Sequence, residues 1–360
     1  HKLTYSSVES ANGIYIRPGQ QLLDYAKRLL HQCEVAYICT QLRPMDTCRI
    51  IYLSFEACGL DSNSKYPISS SSLLMSALTS NRSVTDLNLS DNQIGAHHDC
   101  GESLKTLLSS NNRLLNVNMS RNPLGYISKP YPSSTSGAIC AMAEGLSMNT
   151  NLRALTLSDC GVQVKGAEAL GISLTKNTSL LSLDLSRNHG VTRYGAVCLA
   201  NGLERNSGLE TLNCAGCSMG MAGATAVAKM LQTNTTLIHL NMSGNPTDKR
   251  GSAIQCFGAL AIALALRENC TLQSLSLAAS GIESVGATYI AHALVVNTTL
   301  LTLDLEGVRP HEIRARQPMK PPIRKDDQNV DPLYFEELDL NAIVSKKEEV
   351  ALRLAMARQI

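Results

Sequence analysis

Between Leu152 and Leu237 the chain writes one unit three times. Leu152-x-x-Leu155-x-Leu157-x-x-Cys160 is followed by Leu180-x-x-Leu183-x-Leu185-x-x-Asn188, then by Leu209-x-x-Leu212-x-Cys214-x-x-Cys217. The spacings to the next start, Leu237, are 28, 29 and 28 residues. A repeat of this length is one supersecondary piece that cannot bury its apolar side alone. Neighbouring copies must stack into a shared core. This constraint overrides the two or three separate domains that 360 residues would otherwise suggest.

Followed in both directions, the register gives starts at Ile50, Val84, Leu114, Leu152, Leu180, Leu209, Leu237, Leu272 and Leu300. A weaker tenth start is Phe335-x-x-Leu338-x-Leu340. Each start opens a short strand, with positions four and six facing inward and three, five and seven on the open face. The ninth residue, Asn or Cys, is expected to bond backbone groups left unpaired at the turn. A helix then returns the chain, with stripes such as Ala167, Leu170, Leu174 and Ala196, Leu199, Leu203. Three residues before each of eight starts stands an asparagine, from Asn81 to Asn297. Because Asn tolerates the left-handed conformation, this column predicts left-handed helix ends.

The stretch LDLSRN at 183–188, with Gly195 and Ala196 opening the next helix, resembles the ribonuclease-inhibitor-like leucine-rich repeats. The resemblance covers about 50 to 305, and 335 to 345 more weakly. It implies an α/β solenoid, a horseshoe with a parallel concave β-sheet and outer helices, of about nine to ten repeats. That subfamily includes ribonuclease inhibitors, Ran GTPase-activating proteins, innate-immune receptors, actin regulators and ciliary dynein regulatory complex subunits. Such breadth means that function has to be argued from the surface.

The period divides the chain into four parts. Residues 1–45 do not fit it and are expected to form an N-terminal helical cap, with Leu22, Leu23, Ala26, Leu29 and Leu30 at helical spacing over 20–32. Residues 46–306 are the repeats. Residues 307–332 are Pro-rich and basic, and 333–360 read as a final half-repeat and capping helix opened by the capping box Ser345-Lys-Lys-Glu348. Two insertions interrupt the repeats, at 126–135 and around 247–255. The apolar run 259–266 alternates with alanine as a buried helix does.

A net charge of +2 does not point to nucleic acid or an anionic membrane. No apolar run is long enough to span a bilayer, and no secretory signal is visible at His1. Twelve cysteines fall largely on repeat positions, as at Cys58, Cys160, Cys214 and Cys217, where a free thiol serves as a small hydrophobe. That usage implies a reducing compartment. The eight Asn-x-Ser/Thr sequons fall where the repeat itself demands Asn, and read as its by-product.

No catalytic set emerges. Cys214-x-x-Cys217 has the form of a redox or zinc pair, yet both residues are repeat positions and no second pair follows. His97-His98-Asp99-Cys100 contains metal-ligand types without a partner cluster and reads as a polar turn. No enzyme activity, cofactor, metal or small-molecule substrate is expected. The third unit, Met119-Ser-Arg-Asn-Pro-Leu-Gly125, departs from the Asn-Asn-Gly-containing repeat of the Ran activators, and the region before Asp326 is basic where theirs is acidic. The concave positions are small and polar, and the chain has no Trp, so a hot-spot grip is not supported there. Candidate partner-binding residues therefore lie in the irregular parts. Tyr126 and Tyr131 stand among prolines, and Arg309, Arg314, Arg316, Lys320, Arg324 and Lys325 offer charge to an acidic partner. The chain reads as a non-enzymatic scaffold binding other proteins of a multi-subunit assembly, with neither nucleic acid nor membrane as partner. It is expected in the cytoplasm, on the cytoskeleton or in a cilium or axoneme. The alternative is a regulatory binding module, either a small-GTPase regulator or the sensing region of a receptor.

Overall fold

A computed structural model describes residues 22–25, 30–42, 51–61, 68–125, 137–244 and 253–307. Among these residues, ten strands of three residues form one sheet in sequence order, every pair parallel. They are β1 (Leu22–Asp24), β2 (Tyr52–Ser54), β3 (Asp86–Asn88), β4 (Asn116–Asn118), β5 (Ala154–Thr156), β6 (Ser182–Asp184), β7 (Thr211–Asn213), β8 (His239–Asn241), β9 (Ser274–Ser276) and β10 (Thr302–Asp304). Among the described residues, nine helices return the chain: α1 (Gln32–Gln41), α2 (Ser70–Thr79), α3 (Cys100–Ser110), α4 (Ala138–Met148), α5 (Val164–Leu174), α6 (Thr192–Leu203), α7 (Gly220–Thr233), α8 (Gln255–Glu268) and α9 (Ser284–Val296). The fold is a leucine-rich-repeat solenoid.

Register follows the repeat letter by letter. Leu53, Leu87, Val117, Leu155, Leu183, Leu212, Leu240, Leu275 and Leu303 stand side by side along the sheet. A slip of one residue would turn this whole row onto the open face. The inward row packs on the helix stripes: Ala167, Leu170 and Leu174 of α5 and Ala196 of α6 are wholly buried.

Two glycines in α5 and α6 set how closely helices approach. A Cβ on Gly202 would collide with the Gly171 carbonyl, and one on Gly171 would sit 2.5 Å from the Cys198 carbonyl oxygen. Both backbones need the missing side chains.

The ninth-position expectation holds. Asn188 donates from Nδ2 to the carbonyls of Leu157 and Leu185, both at 2.8 Å, and accepts at Oδ1 from Cys160 N and Val162 N. Where Cys replaces Asn, the thiol keeps the donating half of that role. Cys58 Sγ reaches Tyr25 O at 2.9 Å, Cys160 Sγ reaches Met119 O at 3.1 Å, and Cys217 Sγ reaches Leu185 O at 3.0 Å.

Two expectations are corrected. The asparagine column is not left-handed: Asn149 has φ −77° and ψ 135°, and Asn111, Asn234, Asn269 and Asn297 are likewise extended. The column works through its side chains. Asn177 Nδ2 donates to Leu146 O and to Asn149 O, both at 2.8 Å, while its Oδ1 accepts from Leu180 N and Ser179 N. Asn206 repeats this against Leu174 O and Asn177 O. Each asparagine thus ties a helix end to the unit before and to its own next strand. The left-handed residues instead occupy the eighth position, as at Asp91, Arg121, Asp159 and Arg187, with φ of 59°, 57°, 54° and 61°.

The second correction concerns 20–32. Leu22–Asp24 is a strand and the helix begins at Gln32. The first full repeat leaves a sheet edge with unpaired N–H and C=O groups, and this segment satisfies them. Tyr25 N donates to Ser54 O at 2.9 Å and Leu30 N to Cys58 O at 3.1 Å. The Tyr25 ring packs on Phe55, centroids 5.3 Å apart.

Candidate functional site

With the leucines turned inward, the open face of the sheet is built from positions three, five and seven. Small polar residues dominate it, and neighbouring units hold one another's side chains. Asn116 Nδ2 donates to Asp86 Oδ1 at 2.6 Å, Asn88 Nδ2 to Glu56 Oε2 at 3.3 Å, Ser186 Oγ to Ser158 Oγ at 2.8 Å, and Ser276 Oγ to Asp304 Oδ2 at 2.9 Å. Within a unit, the fifth residue accepts from the backbone of the seventh. Asn118 takes Ser120 N, Asp184 takes Ser186 N, Asn213 takes Ala215 N and Asp304 takes Glu306 N. These Asx turns bend the chain out of the strands that carry Asn or Asp at this position. They give the short side chains a fixed orientation, so the face is shallow and stiff.

Its charge is one-sided. Positions three, five and seven carry Asp24, Glu56, Asp86, Asp184, Asp304 and Glu306, and no Lys or Arg. The only base among the described residues at these positions is His239, which is exposed. The eighth-position turn beside the face carries Asp91, Arg121, Asp159 and Arg187, all exposed. Arg121 and Asp91 form an ion pair at 3.4 Å. Arginine in the left-handed region is uncommon and costs about 1 kcal/mol, so Arg121 and Arg187 are held there by the repeat. The sequence reading took in three columns of the face and missed this fourth one. Its signal was the recurring charged residue just before the ninth position.

A second surface lies on the outer helices near the end of the described chain. Phe257 (42% exposed) and Leu264 (44%) of α8, with Val285 (50%) and Val295 (60%) of α9, face outward. α9 contains no charged residue. The run 259–266 is therefore buried on one side only.

Of the two motifs of metal-ligand type, Cys214-x-x-Cys217 is core packing and His97-His98-Asp99-Cys100 is a hydrogen-bonded turn with His98 exposed. Cys214 and Cys217 are both buried. The Cys217 contact and burial push the Cys214 thiol well above its ordinary value. Asp99 accepts from Ser69 N at 3.0 Å through Oδ2 and contacts His97 Nδ1 at 2.6 Å through Oδ1. Burial acts to raise its pKa, but the hydrogen bonds from Ser69, His97 and Ser72 outweigh it and leave the carboxyl below its usual range. Cys100 donates to Asp61 Oδ2 at 3.4 Å, and burial, with the Asp61 charge, lifts its thiol to about 11. Burial likewise puts Cys160 at about 12. Protonated, buried thiols of this kind are poor nucleophiles. Among the described residues, no group of three or more His, Cys, Asp or Glu could hold a metal ion. Nor is any helix there long and apolar enough to cross a membrane.

The sequence-predicted partner residues Tyr126 and Tyr131, and Arg309, Arg314, Arg316, Lys320, Arg324 and Lys325, all lie outside the described residues.

Comparison with known proteins agrees with the repeat reading. Residues 80–96, 149–171, 176–200 and 268–291 match a family described as Leucine Rich repeat. The chain is 28% identical over 301 residues to NACHT, LRR and PYD domains-containing protein 12 of Mus musculus, covering 75% of this chain and 26% of that protein. It is 28% identical over 209 residues to the Centrosomal protein of 78 kDa of Homo sapiens, covering 53% and 30%. It thus spans about a quarter to a third of the length of these relatives. Among solved structures, the leucine-rich repeat-containing protein LegL7 from Legionella pneumophila aligns over 78% of this chain and 89% of its own. The TM-score is 0.44 and the identity 16%.

Proposed function

We propose that this chain is a non-enzymatic protein-interaction scaffold, working within an intracellular assembly of cytoskeletal, centrosomal or axonemal type. One observation carries the reading. Among the described residues, ten strands present a continuous, pre-ordered polar face, while the repeat-position thiols Cys58, Cys160, Cys214 and Cys217 and most of the leucines are spent inside the core. A stiff face of short side chains loses little entropy on binding. What supports the cytoskeletal setting is the similarity to a centrosomal protein over half of the chain. Biotin proximity labelling in cells tests it: neighbours from a cytoskeletal or centriolar structure should be enriched over a cytosolic control. Enrichment confined to other compartments would defeat it.

A second reading, a regulatory binding region of a larger protein, is favoured by the similarity to the NACHT, LRR and PYD domains-containing proteins, of which the matched part is a quarter. Incubation with small GTPases separates the two. Unchanged GTP hydrolysis is expected of a scaffold, and acceleration would replace it with the regulator.

A further inference from the structure

We propose that the edge of the solenoid where helices turn into strands, from β3 to β6, docks an acidic peptide segment of a partner protein, one that also carries apolar side chains. The proposal rests on the scaffold reading in taking the chain as a protein-binding one. It adds where the partner sits and what chemistry the partner brings.

Charge on this edge is uncompensated. The turns leading into β3, β4, β5 and β6 are residues 79–85, 109–115, 147–153 and 174–181. They contain Arg82, Arg113, Arg153 and Lys176, all exposed, and no Asp or Glu. Among the described residues, none of the four forms an ion pair with a carboxylate. The pattern stops at the next turn, where Glu204 and Glu210 stand on either side of Arg205.

The arginines are held in place by neutral groups. Arg82 Nη1 donates to Asn112 Oδ1 at 2.6 Å, and Arg113 Nε donates to Arg82 O at 2.9 Å, so the two side chains cross between neighbouring turns. Arg153 Nη1 donates to Ser179 O at 3.0 Å, three residues beyond Lys176. A guanidinium carries five N–H donors in a planar fork that matches a carboxylate. Each of these bonds occupies one donor and orients the others. Like charges gathered in this way repel, and no described carboxylate in these turns offsets the repulsion. A bound anion would.

Apolar surface beside the charges selects the kind of anion. The second residues of the units form a hydrogen-bonded ladder: Thr85 N donates to Ile51 O at 2.9 Å, Leu115 N to Thr85 O at 2.7 Å, and Arg153 N to Leu115 O at 2.8 Å. Ile51 and Leu115 are exposed on it. Inorganic phosphate would leave them uncovered, whereas an acidic peptide with apolar residues covers both kinds of group. A broad anionic bilayer fits less well, because Glu56 and Asp86 lie on the adjoining concave face and would be driven against it. From β3 to β6 is three strand steps, about 14 Å, and five extended residues reach about 13 Å. One short segment therefore spans the site.

Fluorescence anisotropy on the whole chain tests this, with a labelled eight-residue probe in which Asp-Asp-Leu-Leu is written twice. An extended chain of that pattern sets Asp and Leu alternately on each face. Saturable binding with Kd below about 1 mM is expected. Replacing Leu by Ser in the probe should weaken it at least about threefold, and replacing Asp by Lys should abolish it. The R113Q/R153Q variant should bind at least about tenfold more weakly. K176E should lose about fivefold; Lys176 has no hydrogen bond or ion pair among the described residues, so this change reverses a charge without removing a structural bond. Urea unfolding of each variant checks that the fold is retained. No saturable binding, equal binding of the Lys probe, an affinity that K176E leaves unchanged, or binding to phosphatidylserine vesicles alone overturns the proposal. The assay needs no cellular partner, so its failure is distinct from failure of the scaffold reading under proximity labelling.

Discussion

Leu183 and Leu185 on β6 are wholly buried, whereas Leu303 and Leu305 occupy the same positions on β10 and are only half-buried. The same letter in the same place differs because β6 lies between β5 and β7, while β10 is flanked only by β9 among the described residues. Asparagines show it too: Asn177 is buried and Asn297 half-buried, with the same pattern of bonds. In a solenoid, burial belongs to the neighbourhood and not to the residue. Stability is then close to a sum of unit and interface terms, and a given substitution should cost most in the middle.

The largest contrast is expected from glycines. Gly202→Val drives two methyls and a Cβ into the Gly171 carbonyl, so loss of more than about 4 kcal/mol, or failure to fold, is expected. Gly307→Ala, at φ 81° on the exposed end, should cost about 1–2 kcal/mol from backbone strain alone. Urea unfolding of both variants measures the gap, and equal costs would contradict the neighbour argument.

Leucine truncation comes next. Leu185→Ala should lose about 3–4 kcal/mol through transfer and cavity terms, and Leu305→Ala under about 2 kcal/mol, because its site is already half open. Asparagine follows. Asn177→Ala strands the Leu180 and Ser179 amides, while the Leu146 and Asn149 carbonyls keep the Asn149 N and Ser179 Oγ donors. At about 1 kcal/mol or more for each group left buried, about 2–3 kcal/mol is expected. The Asn297→Ala counterpart should fall near 1 kcal/mol, since water can reach its partners.

The smallest effect concerns pH and the polar ties of the N-terminal units. Asp99 has its folded pKa lowered by the hydrogen bonds from Ser69, His97 and Ser72, against burial. Such a group contributes stability that is present above its unfolded pKa, about 3.9, and is lost as pH falls through the lower folded value. Asp99→Asn should therefore be less stable than the parent at pH 7, and the difference should shrink below about pH 4. A gap that stays constant to pH 2 would remove the carboxylate from the account.

Much of this architecture was legible in the letters. A 28-residue period and leucines at the first, fourth and sixth places demand stacked strands, because no unit can hide its apolar side unaided. The ninth-position Asn or Cys announced its hydrogen bonds for the same reason: a buried turn must satisfy its backbone. The asparagine column was legible as a position but not as a mechanism. Its bonds run to the preceding unit, about 28 residues away, and no local rule reports them.

Other features were decided by the assembled fold. Leu22–Asp24 has helical spacing, yet pairs as a strand because β2 offers it an edge. Leu264 lies in an apolar run that reads as buried, yet faces outward because nothing described packs outside α8. The acidic row of the concave face is scattered over 280 residues of sequence, from Asp24 to Glu306, and becomes one surface only when ten strands stand in register. Composition and period determine which side chains must be inside, since that depends on local transfer free energy. Which exposed ones share a surface depends on distances between units, and those exist only after the units have stacked.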